Sequence, residues 1–242
     1  MKHFQTENAK LFINTINFFK EIGVDITVSE KYFQKENEKI AKTDLSHYSK
    51  KNKVEKIKEL ENSYKNFEGC KLKKTSTNFV KFYGSINSKI LIVDEPPDVE
   101  EDKEGIPFVS NKGLLFEKML NAIGLTIKET FIVKSIPWRP PGNRYPSNEE
   151  IKICRPFILN LISLFKPKII VCLGEVPSCQ ILDLNESIIK IRGKWRKLKS
   201  DESNCEFSVL STFSVSHLLS RPDLKKYAWE DLKLLRERIK EI

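Results

Sequence analysis

Two loops carry the side chains of this chain that could do chemistry. The first follows the apolar run of residues 89–93 and reads Asp94-Glu95-Pro96-Pro97-Asp98. The second follows the apolar run Phe131-Ile132-Val133 and extends from Lys134 to Arg144. In open parallel sheets, ligands bind outside the carboxyl ends of the strands, so these loops are predicted to form one site with carboxylates on one side and basic groups on the other.

A sheet and flanking helices must position these loops. Strands are predicted at about residues 89–93, 130–133, 168–173 and 207–211, because each is a short apolar run bounded by polar residues. Helices are predicted near residues 113–123, 147–165, 175–182 and 225–239, with Ser147 as the N-cap of the second. Alternating strands and helices indicate a right-handed, doubly wound parallel sheet.

The composition points to a globular protein with a polyanionic partner. The 242 residues carry 42 Lys and Arg against 33 Asp and Glu, a net charge of +9. A Lys-rich coding bias would give the same excess, so the charge is a weak indication. We find no apolar run of membrane-spanning length and no signal-peptide core near Met1, and therefore expect a cytoplasmic location. The five cysteines include no C-x-x-C pair, which favours reduced thiols over disulfides.

The N-terminal third differs in composition from the rest. Residues 7–22 are predicted to form an amphipathic helix, and residues 31–44 a polar connection. Residues 50–67 place Val54, Ile57 and Leu60 at helical spacing among Lys and Glu. This pattern favours a solvated helix with one apolar stripe, although a dedicated DNA-binding arm would look similar.

Several motifs together resemble the type-4 uracil-DNA glycosylases, over roughly Cys70 to Ile239. The resemblance rests on Asp94 to Asp98, Gly105-Ile106-Pro107-Phe108-Val109, Trp138-Arg139-Pro140-Pro141-Gly142-Asn143-Arg144, Leu173-Gly174, Arg192-Gly193-Lys194-Trp195 and Trp229-Glu230-Asp231-Leu232. It implies an α/β, three-layer sandwich with a central four-stranded parallel sheet in residues 67–242, preceded by a helical extension in residues 1–66. It also implies a monomer that hydrolyses the N-glycosidic bond of uracil in DNA during base-excision repair.

The resemblance assigns roles to the first loop and to the segment after it. Glu95 would be the carboxylate that faces the sugar and the attacking water, and Phe108 would stack on the flipped base. Without the motif, Glu95 would be interpreted as a solvated loop acid and Phe108 as a core residue.

At several positions the chain departs from the family pattern. Lys134 stands where an Asn reads uracil, and an ammonium donates hydrogen bonds but accepts none. Lys134 could instead pair with Glu95, act as an electrophilic donor to another base, or act as a nucleophile. Asp94 and Asp98 replace two glycines, which adds negative charge beside a phosphate path. These changes make catalysis doubtful.

The last motif has lost its histidine. Ser214 replaces the residue that would donate to the uracil anion, and His217 lies three positions later as a surface or packing residue. Leu218, Leu219 and Arg221 match the segment that wedges into the minor groove.

Basic residues around the cleft are candidates for phosphate contact. They are Arg139, Arg144, Arg192 and Lys194, together with the neutral amide of Asn143, and their alternative role is to hold turns by capping carbonyls.

Many type-4 enzymes hold a [4Fe–4S] cluster on four cysteines. Here Cys70 and Cys154 occupy two of these positions, whereas Phe67 and Trp138 stand at the others. Two thiolates cannot provide the usual four ligands, so we expect neither a cluster nor another cofactor or metal. The sequence leaves two interpretations beside a uracil glycosylase with a degraded pocket: an inactive homologue that binds DNA or a nucleotide, and a glycosylase with altered base specificity.

Overall fold

The computed structural model describes residues 52–200 and 205–242. It divides into two compact units, with the boundary after Gly69. The predicted helix at residues 7–22 and the connection at 31–44 lie outside the described residues. The assignment of residues 1–66 to a helical extension therefore stays a prediction.

The described part of the first unit is helix α1, Lys53–Asn66. Asn52 caps its N-terminus by accepting from the Glu55 N–H, while the Glu55 carboxylate accepts from the Asn52 N–H. Ile57, Leu60 and Tyr64 lie on its buried face. The apolar stripe predicted in this segment is thus present.

The second unit is built on a six-stranded mixed sheet. Its strands are β1 (Tyr83–Gly84), β2 (Ile90–Asp94), β3 (Phe131–Lys134), β4 (Ile169–Leu173), β5 (Trp195–Ser200) and β6 (Cys205–Thr212). The order across the sheet is β1-β3-β2-β4-β6-β5. The four central strands are parallel, as predicted, while β1 and β5 add antiparallel edges that the sequence analysis did not anticipate.

Helices pack on both faces of this sheet. They are α2 (Val99–Glu104), α3 (Ser110–Asn121), α4 (Asn148–Phe165), α5 (Glu175–Leu182), α6 (Ile188–Ile191), α7 (Val215–Ser220) and α8 (Lys225–Ile239). The three-layer α/β prediction is therefore confirmed. Among the described residues, no helix is long and apolar enough to cross a membrane.

Burial on both faces explains why the central strands are continuous apolar runs in the sequence. Every residue of β2, β3 and β4 is buried, because helices cover both faces of a central parallel sheet. Strand β4 has no polar side chain, whereas β2 ends in buried Asp94 and β3 ends in buried Lys134. Two buried charges at the same edge of the sheet mark the region that differs from an ordinary core.

Helix α4 begins where the sequence predicted. The Ser147 hydroxyl accepts from the Glu150 N–H at 3.2 Å, and the Glu150 carboxylate accepts from the Ser147 N–H at 2.7 Å. This reciprocal capping box satisfies two N–H groups that the helix itself cannot pair.

Removing this cap tests the fold assignment. We expect Ser147→Ala to lower the free energy of unfolding by about 1 kcal/mol, because the Glu150 N–H loses its acceptor. Urea denaturation followed by circular dichroism measures the change. Asn148→Ala, one position inside the helix, is the control and should change stability less; an equal loss in both variants would contradict the capping role.

Candidate functional site at the carboxyl edge of the sheet

The parallel strands deliver their loops to one edge of the sheet. Asp94 and Lys134 are direct neighbours in the β2–β3 register, and Leu173 pairs with Thr212 across β4 and β6. The segments after these strands begin with Glu95, Gly174 and, one residue beyond Phe213, Ser214. The topology thus brings the predicted site residues to a common edge.

Two lysines and two carboxylates are buried together there. Lys134 Nζ lies 2.6 Å from Asp94 Oδ2 and 2.7 Å from Glu101 Oε2. Lys112 Nζ lies 3.0 Å from each of the same two oxygens. The four side chains are at most 5% exposed. We call Asp94, Glu101, Lys112 and Lys134 the buried ion cluster.

Charge pairing within the cluster outweighs the effect of burial on the pKa of Glu101 and of Lys112. Burial by itself would raise the pKa of Glu101, but Lys134 and Lys112 offset it and lower that pKa to about 2. Burial would lower the pKa of Lys112, yet Asp94 and Glu101 raise it above its ordinary value. The two positive and two negative charges sum to zero, which is the condition for keeping ions away from water.

This arrangement corrects the pairing considered for Lys134. Its partners are Asp94 and Glu101, and Glu95 is not among its ion pairs in the described part of the chain. Successive residues at the end of a strand point to opposite faces, so Asp94 and Glu95 are directed to different surroundings. Lys112 and Glu101 were not identified from the sequence.

Phe108 lies beside the buried ion cluster, and neighbouring side chains cover its ring. Its ring stacks on Phe116 with 3.8 Å between centroids and 8° between planes. The ammonium groups of Lys112 and Lys134 lie 5.5 and 5.6 Å from the Phe108 centroid. The Phe108 N–H donates to Glu101 Oε1 at 2.7 Å, and its φ of 57° places a non-glycine residue in the left-handed region. Only 8% of Phe108 is exposed, so a base could stack on it only after neighbouring groups moved.

Glu95 lies outside the cluster and against the turn after β4. Its Oε1 accepts from the Glu175 N–H at 3.2 Å, and its carboxylate shares a hydrogen bond with the Ser214 hydroxyl. A Cβ at Gly174, whose φ is +112°, would fall 2.3 Å from Glu95 Oε1, so a side chain there would displace the carboxylate. Burial and the neighbouring Asp94 raise the pKa of Glu95, and the Ser214 hydroxyl partly opposes this. The structure therefore brings Glu95 and Ser214 together.

Ser214 is engaged at the N-terminus of α7. Its Oγ accepts from the His217 N–H at 3.2 Å, and the side chain is buried. The His217 ring is exposed and stacks on Phe213 with 5.5 Å between centroids. His217 therefore lies on the protein surface, whereas the Ser214 hydroxyl is buried and interacts with Glu95.

A cleft of about 260 Å³ opens beside Glu95. One wall comes from the loop after β2 and the other from the loop after β3. The residues that line it are Glu95, Pro96, Pro97, Asp98, Pro140, Asn143, Arg144, Tyr145, Pro146, Val176 and Ser216. The buried ion cluster and Phe108 are not part of this lining. Tyr145 was not singled out in the sequence, because nothing distinguished it from any loop aromatic.

The arginines proposed for phosphate contact are paired within the protein. Arg144 makes a two-pronged contact with Glu150, at 2.9 and 2.6 Å. Arg139 donates to Asn143 Oδ1 at 2.6 Å. Both guanidinium groups hold the loop in place, although Arg144 is also 46% exposed on the cleft side.

Arg192 is bound by groups within the protein. It pairs with Asp231, which also accepts from the Thr212 hydroxyl at 2.6 Å, and it donates to the Tyr227 carbonyl. This agrees with the carbonyl-capping alternative of the sequence analysis. Lys194, two residues later, is exposed.

The proposed wedge is only partly at the surface. Leu218 is 1% exposed and packs in the core, so the side chain has no surface for DNA; this assignment is corrected. Leu219 is 41% exposed, and Arg221 is exposed and pairs with Asp223 at 3.1 Å. Of the three residues predicted to enter the minor groove of DNA, Leu219 and Arg221 have exposed side chains.

The residues at the family's cluster positions do not fit an iron–sulfur centre. Cys70 and Cys154 are buried thiols, and a hydrogen bond between them lowers the pKa of Cys70. Trp138 is buried and packs edge-on against Phe79, with 6.0 Å between centroids. Within residues 52–200 and 205–242, no group of three or more His, Cys, Asp or Glu side chains is arranged to hold a metal ion.

Breaking the buried ion cluster tests its role in stability. We expect Lys134→Met to destabilise the protein by about 3–5 kcal/mol, because the two buried carboxylates then share only Lys112. Urea unfolding measures the effect. Lys197→Met removes the lysine of the exposed Lys197–Glu206 pair and is the matched control, expected to change stability by less than about 1 kcal/mol. A loss of similar size in the control would show that the buried position has no special weight.

Comparisons with known proteins agree with this geometry. Residues 81–233 match the model of the uracil DNA glycosylase superfamily. The chain is 39% identical over 189 residues to a type-4 uracil-DNA glycosylase of Sulfurisphaera tokodaii, covering 76% of this chain and 84% of the relative. It is 33% identical over 177 residues to the type-4 enzyme of Thermotoga maritima, covering 71% and 88%. A third relative, from Archaeoglobus fulgidus, is 31% identical over 172 residues, covering 69% and 85%. The fold, the motifs and these relatives together show that the chain belongs to the uracil-DNA glycosylase superfamily.

Proposed function

We propose that this protein binds DNA at the cleft beside Glu95 and hydrolyses the N-glycosidic bond of uracil much more slowly than relatives with a complete pocket. The DNA-binding part is supported by the relatives, which are uracil-DNA glycosylases, and by the net charge of +9. The slow hydrolysis is supported above all by the buried ion cluster, because it engages Lys134, the residue that the resemblance assigns to base reading.

Base reading requires groups that the cluster does not offer. The pairing edge of uracil presents carbonyl acceptors and an N–H donor, and an amide can hydrogen-bond to both kinds of group. Lys134 only donates, and its ammonium is already within 2.7 Å of two carboxylate oxygens. A uracil that took Lys134 as a donor would leave Asp94 and Glu101 less compensated in a buried place. The cluster therefore opposes entry of the base.

Departure of uracil requires a donor that is also missing. Negative charge develops on the base as the bond breaks, and a preorganised donor there contributes on the order of 10²–10³ in rate. Ser214 stands at the expected position, but its hydroxyl is engaged with Glu95. Glu95 remains able to face the sugar and a water from the cleft, since it lines that space. The carboxylate that faces the sugar is therefore retained, whereas the donor to the departing uracil is not.

Nucleophilic lysine chemistry receives no support from the geometry. An amine attacks a sugar carbon only when it is deprotonated, and the carboxylates around Lys112 raise its pKa. Lys134 contacts the same carboxylates at shorter distances. Lys112 is therefore held as an ammonium ion, and the Lys134 nitrogen is occupied by its two carboxylate contacts.

A direct assay tests the proposal. We expect the protein to bind single-stranded and G·U oligonucleotides but to release uracil at least about 10²-fold more slowly than the Sulfurisphaera tokodaii relative under the same conditions. Binding is measured by fluorescence anisotropy and release by alkaline strand cleavage. Release at the relative's rate would refute the slow-hydrolysis proposal, and failure to bind either oligonucleotide would refute DNA binding.

Restoring the missing groups should restore activity. We expect Lys134→Asn with Ser214→His to raise uracil release by about 10²-fold or more, since a reading amide and a donor return to the pocket. A third change, Glu101→Gln, avoids leaving an uncompensated charge in the cluster, because Asp94 and Lys112 then remain as one ion pair.

The matched control makes the same chemical changes at exposed positions, Lys128→Asn with Ser220→His. It should leave release at the wild-type level. Folding of each variant is checked by thermal denaturation, so that a failure to gain activity in a folded protein counts against the assignment of positions 134 and 214.

A further inference from the structure

We infer that a nucleobase of bound DNA stacks on the ring of Tyr145 in the cleft, a role that the resemblance gives to Phe108. This inference rests on the proposal that DNA binds at the cleft, and it identifies the side chain that holds the base there. Tyr145 belongs to the loop after β3, directly after Arg144.

Phe108 is not available for this contact. One of its faces is covered by Phe116 at 3.8 Å, and two ammonium groups lie within 5.6 Å of its centroid. Opening this space would expose or separate the charges of the buried ion cluster, which is unfavourable. A base held near Glu95 therefore needs another aromatic surface.

Tyr145 offers that surface. It is 54% exposed and lines the same cleft as Glu95. Among the ring-to-ring contacts of the described residues, none involves Tyr145. The ring is thus an aromatic face that is open to the cleft and not already stacked.

The ring is also held in place before a ligand arrives. Its hydroxyl interacts with the Glu175 carboxylate, and burial together with that carboxylate raises the pKa of Tyr145, so the phenol keeps its proton. Glu175 is fixed in turn, because its Oε2 accepts from the Ile188 N–H at 2.9 Å. The Tyr145 carbonyl accepts from Arg144 at 3.0 Å. Anchoring at both ends reduces the loss of side-chain freedom when a base binds.

The volume of the cleft suits a single nucleotide unit. Its volume of about 260 Å³ is close to the lower end of the roughly 300–1,000 Å³ range of small-molecule pockets. Pro96 and Pro97 form part of one wall, and Pro140 and Pro146 part of the other, which provides flat apolar surfaces around the ring. Stacking on such a platform tolerates any base, because every base has a π-face. The ligand class is a nucleotide of single-stranded DNA, or one turned out of a duplex.

The experiment compares DNA with and without bases. Binding of the full chain to a fluorescein-labelled oligothymidylate, and to an oligonucleotide of equal length made of abasic units, is measured by anisotropy. We expect Tyr145→Ala to weaken binding to oligothymidylate by about 5- to 150-fold, the range typical for loss of one base–aromatic stack. The same substitution should change binding to the abasic strand by less than about twofold.

Two further variants separate stacking from other effects. Tyr145→Phe keeps the ring and should bind oligothymidylate within about threefold of the wild type, whereas loss comparable to the alanine variant would assign the effect to the hydroxyl. Tyr83→Ala removes another exposed tyrosine, on strand β1, and should bind as the wild type does. Circular dichroism confirms that each variant is folded.

The outcomes distinguish this inference from the proposed function. If the wild type binds oligothymidylate and Tyr145→Ala binds it equally well, the stacking role is wrong and DNA binding stands. If Tyr145→Ala weakens both oligonucleotides equally, the residue contacts the backbone and the inference is overturned. If the wild type binds neither strand, both proposals fail.

Discussion

The buried ion cluster is the constraint on which the rest of the site depends. Four ionised side chains away from water are tolerated only because their charges cancel and each ammonium reaches two carboxylate oxygens within 3.0 Å. The members come from four elements, β2, β3, α2 and α3. Changing one member leaves an uncompensated charge, so the four residues act as a unit. The buried Lys134 ammonium therefore requires the Asp94 and Glu101 carboxylates, and these two carboxylates require the second lysine, Lys112.

The cluster also separates two parts of the site that the family combines. Phe108 and Lys134 lie at the cluster, whereas Glu95 lines the cleft next to Gly174. The separation follows from backbone geometry, because Asp94 and Glu95 are consecutive residues at the end of a strand and face different ways. One carboxylate is used to neutralise the lysines, and the other stays accessible from the cleft. The two positions that the family resemblance assigns to the base and to the sugar, Lys134 and Glu95, therefore lie in different surroundings.

Much of the fold was predictable from the sequence, because continuous apolar runs and capping residues are local signals. Ser147 and the four central strands are examples. The edge strands were missed since β1 has only two residues and β5 is rich in lysine and arginine. The partners of Lys134, Asp94 and Glu101, were not anticipated, because they depend on strand register and on the position of α2. The Asp98-x-x-Glu101 spacing did contain a signal for that helix, since it forms a capping box. No local signal could have placed Lys112 beside Asp94, because that contact depends on how α3 packs.

The conformation of the loop after β3 does not depend on the buried ion cluster. Its shape is set by prolines, by the Arg139–Asn143 hydrogen bond and by the Arg144–Glu150 pair, none of which involves the cluster. The Tyr145 side chain likewise interacts with Glu175, whose carboxylate accepts from the Ile188 N–H, and neither contact involves the cluster. These contacts would keep the same geometry whether position 134 held an asparagine or a lysine. A substitution at the end of β3 can therefore leave the walls of the cleft undisturbed, and under the proposed function those walls present their prolines, Tyr145 and Arg144 to a nucleotide.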